Sequence, residues 1–341
     1  MIAPVRLGIQ VPNFSFAVGG TTVGGTDNPD TIVRRDTNGT RNGLFENLVT
    51  VATTAERVGF DSFFVMDHYR QIPMVDQATE PMPEAYTLLG GVAARTSTIH
   101  VGTLVSGVTY RNPAILAKIV TTLDVVSSGR AILGIGAAWH DVEHSSYGVD
   151  FPPVAQRMGM LEEAVQICKL MFSQDAPSFE GKHFSIHEAF NFPRPVQSGG
   201  PPILVGGGGE QRTLKITAMY ADACNVFGDV AMIRRKLDVL AGHCERVGRD
   251  PSEICKTRLS ALVIAENTNE AKDRLETLAR VRGYDDAQLS TVVWGDPPTV
   301  AEKCREYLDA GLDGLIFNFP NPVNTEDIEL AGEALKDVTR S

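Results

Sequence analysis

The sequence predicts a (β/α)8 TIM barrel of the α/β class, one domain running over residues 1–341. Three observations predict it. Short β-branched runs alternate with long amphipathic stretches, eight such runs can be counted, and no break in composition divides the chain. Alternating β and α with apolar strands implies a parallel sheet covered by helices on its outer side. Eight repeats favour a closed barrel over an open doubly wound sheet.

Arg6–Val11 reads as the first strand. The stretch Ser15–Gly43 that follows is rich in Gly, Thr, Asn and Asp, with two GG pairs, and reads as an insertion over the barrel mouth, a substrate lid or wall. Leu44–Val58 is a helix, with Leu44, Leu48, Val51 and Ala55 on one face. Asp61–Met66 is the second strand, Pro83–Arg95 a helix and Ile99–Val105 the third strand. Pro113–Val126 is a helix with proline in its first turn, where the missing N–H costs nothing. Ala131–Ile135 is the fourth strand and Val154–Phe172 a long helix. The rhythm pauses over Ser173–Gly200, a second insertion with short extended pieces. It resumes with strand Ile203–Val205, helix Glu210–Met219, strand Ala223–Val226 and helix Ala231–Val247. Strand Arg258–Ile264, helices Asn269–Arg282 and Thr299–Ala310, strand Gly314–Phe317 and helix Glu326–Val338 complete the series.

Composition narrows the function classes. The 341 residues are 43% hydrophobic and 21% charged, enough for one large core. No apolar run approaches the roughly 18 to 20 residues of a membrane span, and Met1–Arg6 lacks the regions of a signal peptide. The expectation is a soluble, cytoplasmic protein. With 42 acidic against 31 basic residues and a net charge of −11, the chain carries no basic footprint for nucleic acid or anionic membrane. Cys168, Cys224, Cys244, Cys255 and Cys304 are scattered, odd in number and without a CxxC pair, and read as free, mostly buried thiols.

Barrel chemistry sits at the C-terminal ends of the strands. Those ends here are Pro12-Asn13-Phe14, Asp67-His68-Tyr69, Ser106-Gly107-Val108, Gly134–His140, Gly206–Glu210, Asn225–Gly228 and Asn318-Phe319-Pro320. A glycosidase needs two carboxylates across a bond, and Asp67 is the one obvious mouth carboxylate. A metal centre needs converging His, Asp or Glu, so no metal is assigned. Glycine, alanine and asparagine instead offer flat walls and backbone hydrogen bonds, which suit a planar heterocycle with a phosphate tail. Gly206, Gly207, Gly208 and Gly209, between a strand and a helix, are the strongest signal, because backbone N–H groups and a helix N-terminus can cradle a phosphate. His68 follows a buried strand and, titrating near neutrality, could exchange a proton with a substrate hydroxyl or carbonyl. The stretch His140-Asp141-Val142-Glu143-His144 matches the H-x-x-E-H pattern of inverted zinc peptidases, but no third ligand accompanies it. Asn112-Pro113 and Ser127–Arg130 read as a helix cap and a helix-ending turn.

The run VGTLVSGVTYRNPAILAKIVTTLDVVSSGRAILGIGAAW, with FFVMDH upstream and PPILVGGGGEQRTLKITAMYADACN downstream, resembles the luciferase-like monooxygenase superfamily. Within it the chain is most similar to the deazaflavin (coenzyme F420)-dependent oxidoreductases of mycobacteria and their relatives. The resemblance implies hydride transfer between C5 of coenzyme F420 and a small organic substrate, with His68 as proton donor or acceptor. Asp67 would contact the deazaflavin or orient that histidine. Ser106, Gly107 and Val108 match a bulge behind the ring, with a non-prolyl cis peptide expected at Gly107–Val108 or, second, Ser106–Gly107. Gly136, Ala137, Ala138 and His140 match the loop lining the ribityl and ring side, and Gly206–Gly209 the phosphate loop. Asn13 and Asn225 would border the ring or substrate. The long insertion after the first strand departs from many relatives, and no set of Lys and Arg stands out for a sugar phosphate. Relatives often form homodimers. Two alternatives remain: an FMN-dependent monooxygenase using O2 on the same fold, and a non-catalytic flavin or deazaflavin carrier or sensor.

Overall fold

In a computed structural model, which describes residues 5–14, 43–321 and 324–339, eight parallel strands close into a barrel. They are β1 (Leu7–Val11), β2 (Ser62–Val65), β3 (His100–Thr103), β4 (Ala131–Gly136), β5 (Ile203–Gly206), β6 (Ala223–Val226), β7 (Cys255–Ile264) and β8 (Gly314–Asn318). The ring runs in sequence order. It closes through β8 against β1, where Leu7 faces Leu315 and Ile9 faces Phe317. The strands expected from sequence are therefore all present, with ends shifted by at most three residues. Most of the insertion after β1, residues 15–42, lies outside the described residues.

The two-residue period of each strand explains the two cores. Leu7, Ile9, Val11, Phe63, Val65, Leu133, Ile135, Ile203 and Val205 point outward into one apolar layer beneath the helices. Phe64, Leu104, Ile132, Leu204, Ala223 and Ile316 fill the barrel interior. Continuous apolar strands, rather than alternating ones, follow from burial on both faces.

Local signals place the helices. Asn112 caps Pro113–Val126 by accepting from the Ala114 N–H at 2.9 Å, and Asp229 caps Val230–Val247 by accepting from Met232 N–H. Arg130, at the turn after Pro113–Val126, is buried and donates to the carbonyls of Ala93, Thr96, Ile99 and Ser127, so that turn is structural. The second insertion holds a two-stranded antiparallel pairing, Phe179–Glu180 with Ser185–Ile186. Several elements escape the sequence pattern because they are too short to show a period, among them helix Asp141–Tyr147, helix Asp286–Leu289, and strand Val293–Gly295, which extends the sheet beside the end of β7. No helix among the described residues is long and apolar enough to cross a membrane. All five thiols are free and buried, and burial pushes Cys168, Cys224, Cys255 and Cys304 up to about 12.

Close strand packing makes Gly134 irreplaceable. A Cβ there would lie 1.9 Å from the Thr103 carbonyl oxygen, so the β3–β4 backbone would have to part. Gly134→Ala is expected to destabilise the fold by about 3 kcal/mol or more, read as a shift in the denaturant midpoint. An unchanged midpoint would contradict the tight packing.

Candidate active site

The C-terminal mouth of the barrel encloses a cavity of about 700 Å³. Its floor follows from what points inward at the last turn of each strand. Gln10, Gly136, Gly206, Asn225 and Asn318 all line it. The Asn318 amide donates to the Gln10 side-chain oxygen at 2.9 Å, and the Gln10 amide donates to the Leu104 carbonyl at 2.5 Å. Gly136 and Gly206 are small because Val105 occupies the space beside them: a Cβ on either would come within 2.8 Å of its methyl groups. Asn318 stands among the strand ends read from sequence, whereas Gln10 and Val105 were passed over because their residue types alone carry no signal.

The bulge after β3 differs from expectation. The non-prolyl cis peptide is Leu104–Val105, not Gly107–Val108 or Ser106–Gly107. Ser106 and Gly107 are instead engaged in a short parallel pairing with Ile135 and Gly136, and the Val108 N–H donates to the Gly136 carbonyl at 2.9 Å. Ser106 and Gly107 still line the cavity, while the Ser106 hydroxyl is 2.9 Å from that of Tyr86 and 3.0 Å from that of Thr103.

On one side of the mouth the chain runs Gly206–Gly209 and enters helix Thr213–Tyr220, three residues later than the sequence pattern suggests. The helix has no side-chain N-cap, and its Leu214 N–H donates to the Gly209 carbonyl at 3.0 Å, which ties the end of the loop to the helix. Gly207 has φ +117°, a conformation that favours glycine. A Cβ on Gly208 would come 2.5 Å from Lys236 Nζ, and one on Gly209 would come 2.8 Å from Thr213 Oγ1. Lys236 donates to the Phe227 carbonyl at 2.7 Å, and burial lowers its ammonium below the ordinary value. The loop is thus a concavity of backbone with an ammonium and a hydroxyl beside it, a donor set that fits a phosphate. Lys236 follows the loop by 27 residues and could not be paired with it from sequence. Ser260, also in the wall, is buried with no partner for its hydroxyl.

His68 stands across the mouth, at the end of β2, and lines the cavity. Its Nδ1 lies 2.7 Å from Glu143 Oε2. Glu143 is fully buried in the short helix after β4 and also accepts from the Tyr110 hydroxyl and, at 2.5 Å and 3.1 Å, from the Tyr69 and Arg70 N–H groups. Burial works to raise its carboxyl, but the hydrogen bonds from His68, Tyr110 and Tyr69 outweigh it and hold the pKa down to about 2, against the ordinary 4.5. A carboxylate accepts only, so Nδ1 carries a proton, and in the neutral ring Nε2 is the lone-pair nitrogen. Burial and the adjoining Glu143 raise the Tyr110 phenol, which keeps its proton and stays a donor.

Asp67 lines the cavity, but orientation of His68 falls to Glu143 rather than to Asp67. Both Asp67 oxygens are taken by Arg111, at 2.6 Å and 3.1 Å, and Arg111 also reaches Glu84 at 2.7 Å. Three further residues named from sequence stand outside the cavity lining. Val108 is buried in the outer core, outside the cavity lining. His140 is buried against Trp139, its ring 6.1 Å from that of His68, and Trp139 takes its place in the wall. Asn13 turns to Asp76, its amide donating at 3.2 Å. The remaining site residues, Gly136, Ala137, Ala138, Gly206–Gly209 and Asn225, line the cavity together.

The H-x-x-E-H stretch does not converge. His144 is held between the His140 carbonyl at 2.7 Å and Thr109 Oγ1 at 2.6 Å, and Glu143 points to His68. No metal-binding cluster of His, Cys, Asp and Glu occurs among the described residues.

A family model described as luciferase-like monooxygenase matches residues 31–290. An F420-dependent glucose-6-phosphate dehydrogenase of Kineococcus radiotolerans is 32% identical over 299 residues, 80% of this chain and 87% of that one. Among solved structures, an F420-dependent secondary alcohol dehydrogenase superposes with a TM-score of 0.78 at 18% identity, covering 99% of both chains. The coenzyme F420-dependent tetrahydromethanopterin reductase of Methanopyrus kandleri gives 0.74 at 19%, over 97% of this chain and 98% of that one. At such identities these two structures speak for the fold.

Proposed function

The chain belongs to the luciferase-like monooxygenase family, and from that premise we propose that it is a coenzyme F420-dependent oxidoreductase in which His68 exchanges the substrate's proton. The observation that carries the reading is the imidazole of His68, fixed by a buried carboxylate at the wall of a cavity whose other side is a glycine phosphate cradle. When bound, the deazaflavin supplies two-electron hydride chemistry at its C5 carbon. Gly206–Gly209, Thr213 and Lys236 would hold its phosphate, and Gly136, Ala137, Ala138, Ser106 and Gly107 would wall its ring. Asn225 and Asp67 border the same space. His68 Nε2 takes a proton from a substrate hydroxyl, or returns one to a carbonyl, while Glu143 keeps the ring in register. The five buried thiols support a reducing, cytoplasmic setting, and a homodimer is the assembly expected from the likeness.

Parallel fluorescence titrations of the purified protein with coenzyme F420 and with FMN test this reading. Preferential saturable F420 binding is the expected result. Preference for FMN would move the protein to the oxygen-using branch, and tight binding without turnover of any donor would favour a carrier or sensor. Gly208→Val should weaken F420 binding at least about tenfold, since its side chain would displace the Lys236 ammonium from the cradle. An unaltered Kd would remove the loop from the phosphate site.

A further inference from the structure

The amides on the cavity floor are held in one orientation by groups that can only accept. The Leu104 carbonyl has no hydrogen to give, so the Gln10 atom 2.5 Å from it is the amide nitrogen, Nε2. That leaves Gln10 Oε1 as an acceptor. Asn318, at the end of β8, approaches this oxygen at 2.9 Å and the Gln10 main-chain carbonyl at 2.8 Å. Both are acceptors, so Asn318 turns its Nδ2 to them and commits its two amide hydrogens there. What Asn318 has left is Oδ1. Gln10 is buried and cannot turn its amide over without losing the Leu104 carbonyl, whereas Asn318 is half-buried and lines the cavity. Its Oδ1 takes no hydrogen bond from the described residues and is not enclosed, so it opens into the cavity. An amide free to rotate could offer either end to a ligand. This one offers an oxygen, on the same floor as Leu104, Val105, Ser106 and Gly107.

We infer that Asn318 is a cofactor-binding residue whose Oδ1 accepts a hydrogen bond from a donor on the edge of the deazaflavin ring, with Gln10 as the positioning residue that keeps this oxygen turned to it. The inference rests on the F420-dependent reading and adds to it a contact at the ring edge. The deazaflavin carries two hydrogens of this kind: the imide N–H at its pyrimidine end and the hydroxyl at position 8 of its phenol end. FMN has the first and lacks the second. Burying such a hydrogen without an acceptor is costly, so the fixed oxygen favours a ring that carries it.

The test is a double-mutant cycle between protein and cofactor, read as Kd by fluorescence titration of the whole protein. The ligands are coenzyme F420, its N3-methyl derivative and its 8-O-methyl derivative, each titrated into the parent protein, Asn318→Ala and Gln10→Met. Asn318→Ala should weaken F420 binding about tenfold. One methyl derivative should bind the parent at least about tenfold more weakly than F420 does, yet bind Asn318→Ala no more weakly than F420 does. A loss confined to the N3-methyl derivative assigns the imide, and one confined to the 8-O-methyl derivative assigns the hydroxyl. Gln10→Met leaves the Asn318 amide held by one contact instead of two and should shrink that difference at least about threefold. A Gln10 that served packing alone would leave it unchanged. If both derivatives bind the parent as F420 does, or if the loss persists undiminished in Asn318→Ala, the inference is overturned. The two derivatives are compared on the parent protein, so a variant that failed to fold would not silence the test. If F420 itself does not bind the parent, the cofactor reading fails and this contact with it, whereas binding without coupling removes the contact alone.

Discussion

Replacing His68 with alanine is expected to lower kcat by about 10²- to 10⁴-fold, the range that a positioned general acid or base contributes. F420 affinity should change little, because the phosphate cradle lies across the mouth on Gly206–Gly209. The separation of the two effects is what makes the variant informative. His68 is partly exposed to the cavity and its imidazole is hydrogen-bonded to Glu143, so its removal leaves most of the packing in place. Stopped-flow measurement of cofactor reduction would isolate the chemical step from product release. If turnover of His68→Ala stays within about threefold of the parent enzyme, the proton passes through another group.

The second large effect belongs to Glu143. Glu143→Ala removes the acceptor for His68, Tyr110 and two backbone N–H groups at once, inside a fully buried site. Buried donors left unmatched cost about 1–3 kcal/mol each, so a loss of about 3 kcal/mol or more is expected. Glu143→Gln keeps the shape and separates packing from proton logic. Its amide oxygen can still accept from Tyr69 and Arg70, but its NH2 then faces the His68 ring. To satisfy that contact the ring must accept at Nδ1 and carry its proton on Nε2, the wrong tautomer for a base. Turnover is expected to fall by about 10²-fold or more, as tautomer reversal does in a triad whose orienting carboxylate is made an amide. A nitrogen-15 NMR spectrum of the His68 ring reads the tautomer directly, and a merely structural role for Glu143 would leave it unchanged. The carboxylate also sets a pH window. Its folded pKa of about 2 lies below the ordinary 4.5, so the stability it contributes is complete above about 4.5 and is lost as pH falls toward 2. Glu143→Gln should flatten the acid limb of a stability–pH curve over that interval.

The barrel was legible in the sequence because its determinants are local. Strand and helix periods repeat within windows of a few residues, Asn112 and Asp229 cap helices that begin at the next residue, and four consecutive glycines between a strand and a helix announce a backbone cradle on their own. His68 was legible for the same reason, as an ionisable residue directly after a buried strand. The partners that give these residues their chemistry were not. Glu143 reaches His68 from 75 residues away, Arg111 reaches Asp67 from 44, and Lys236 comes to Gly208 from the helix after β6. The motif containing Glu143 matches a zinc pattern to which no metal was assigned, and its role at His68 stayed hidden, since spacing along a helix says which side chains share a face but not what that face meets. Likewise Val108 and His140 sit at strand ends by sequence yet fall outside the cavity lining, because Val108 packs into the outer apolar layer and the chain after β4 presents Trp139 to the mouth instead. The sequence by itself determined the eight-stranded architecture, the place of the site and the glycine cradle, all consequences of period, turn chemistry and strand order. Tertiary structure alone decided the tautomer of His68, the ion pair that occupies Asp67 and the ammonium beside the glycine cradle, because each depends on which distant side chains the closed barrel brings within hydrogen-bonding or van der Waals reach.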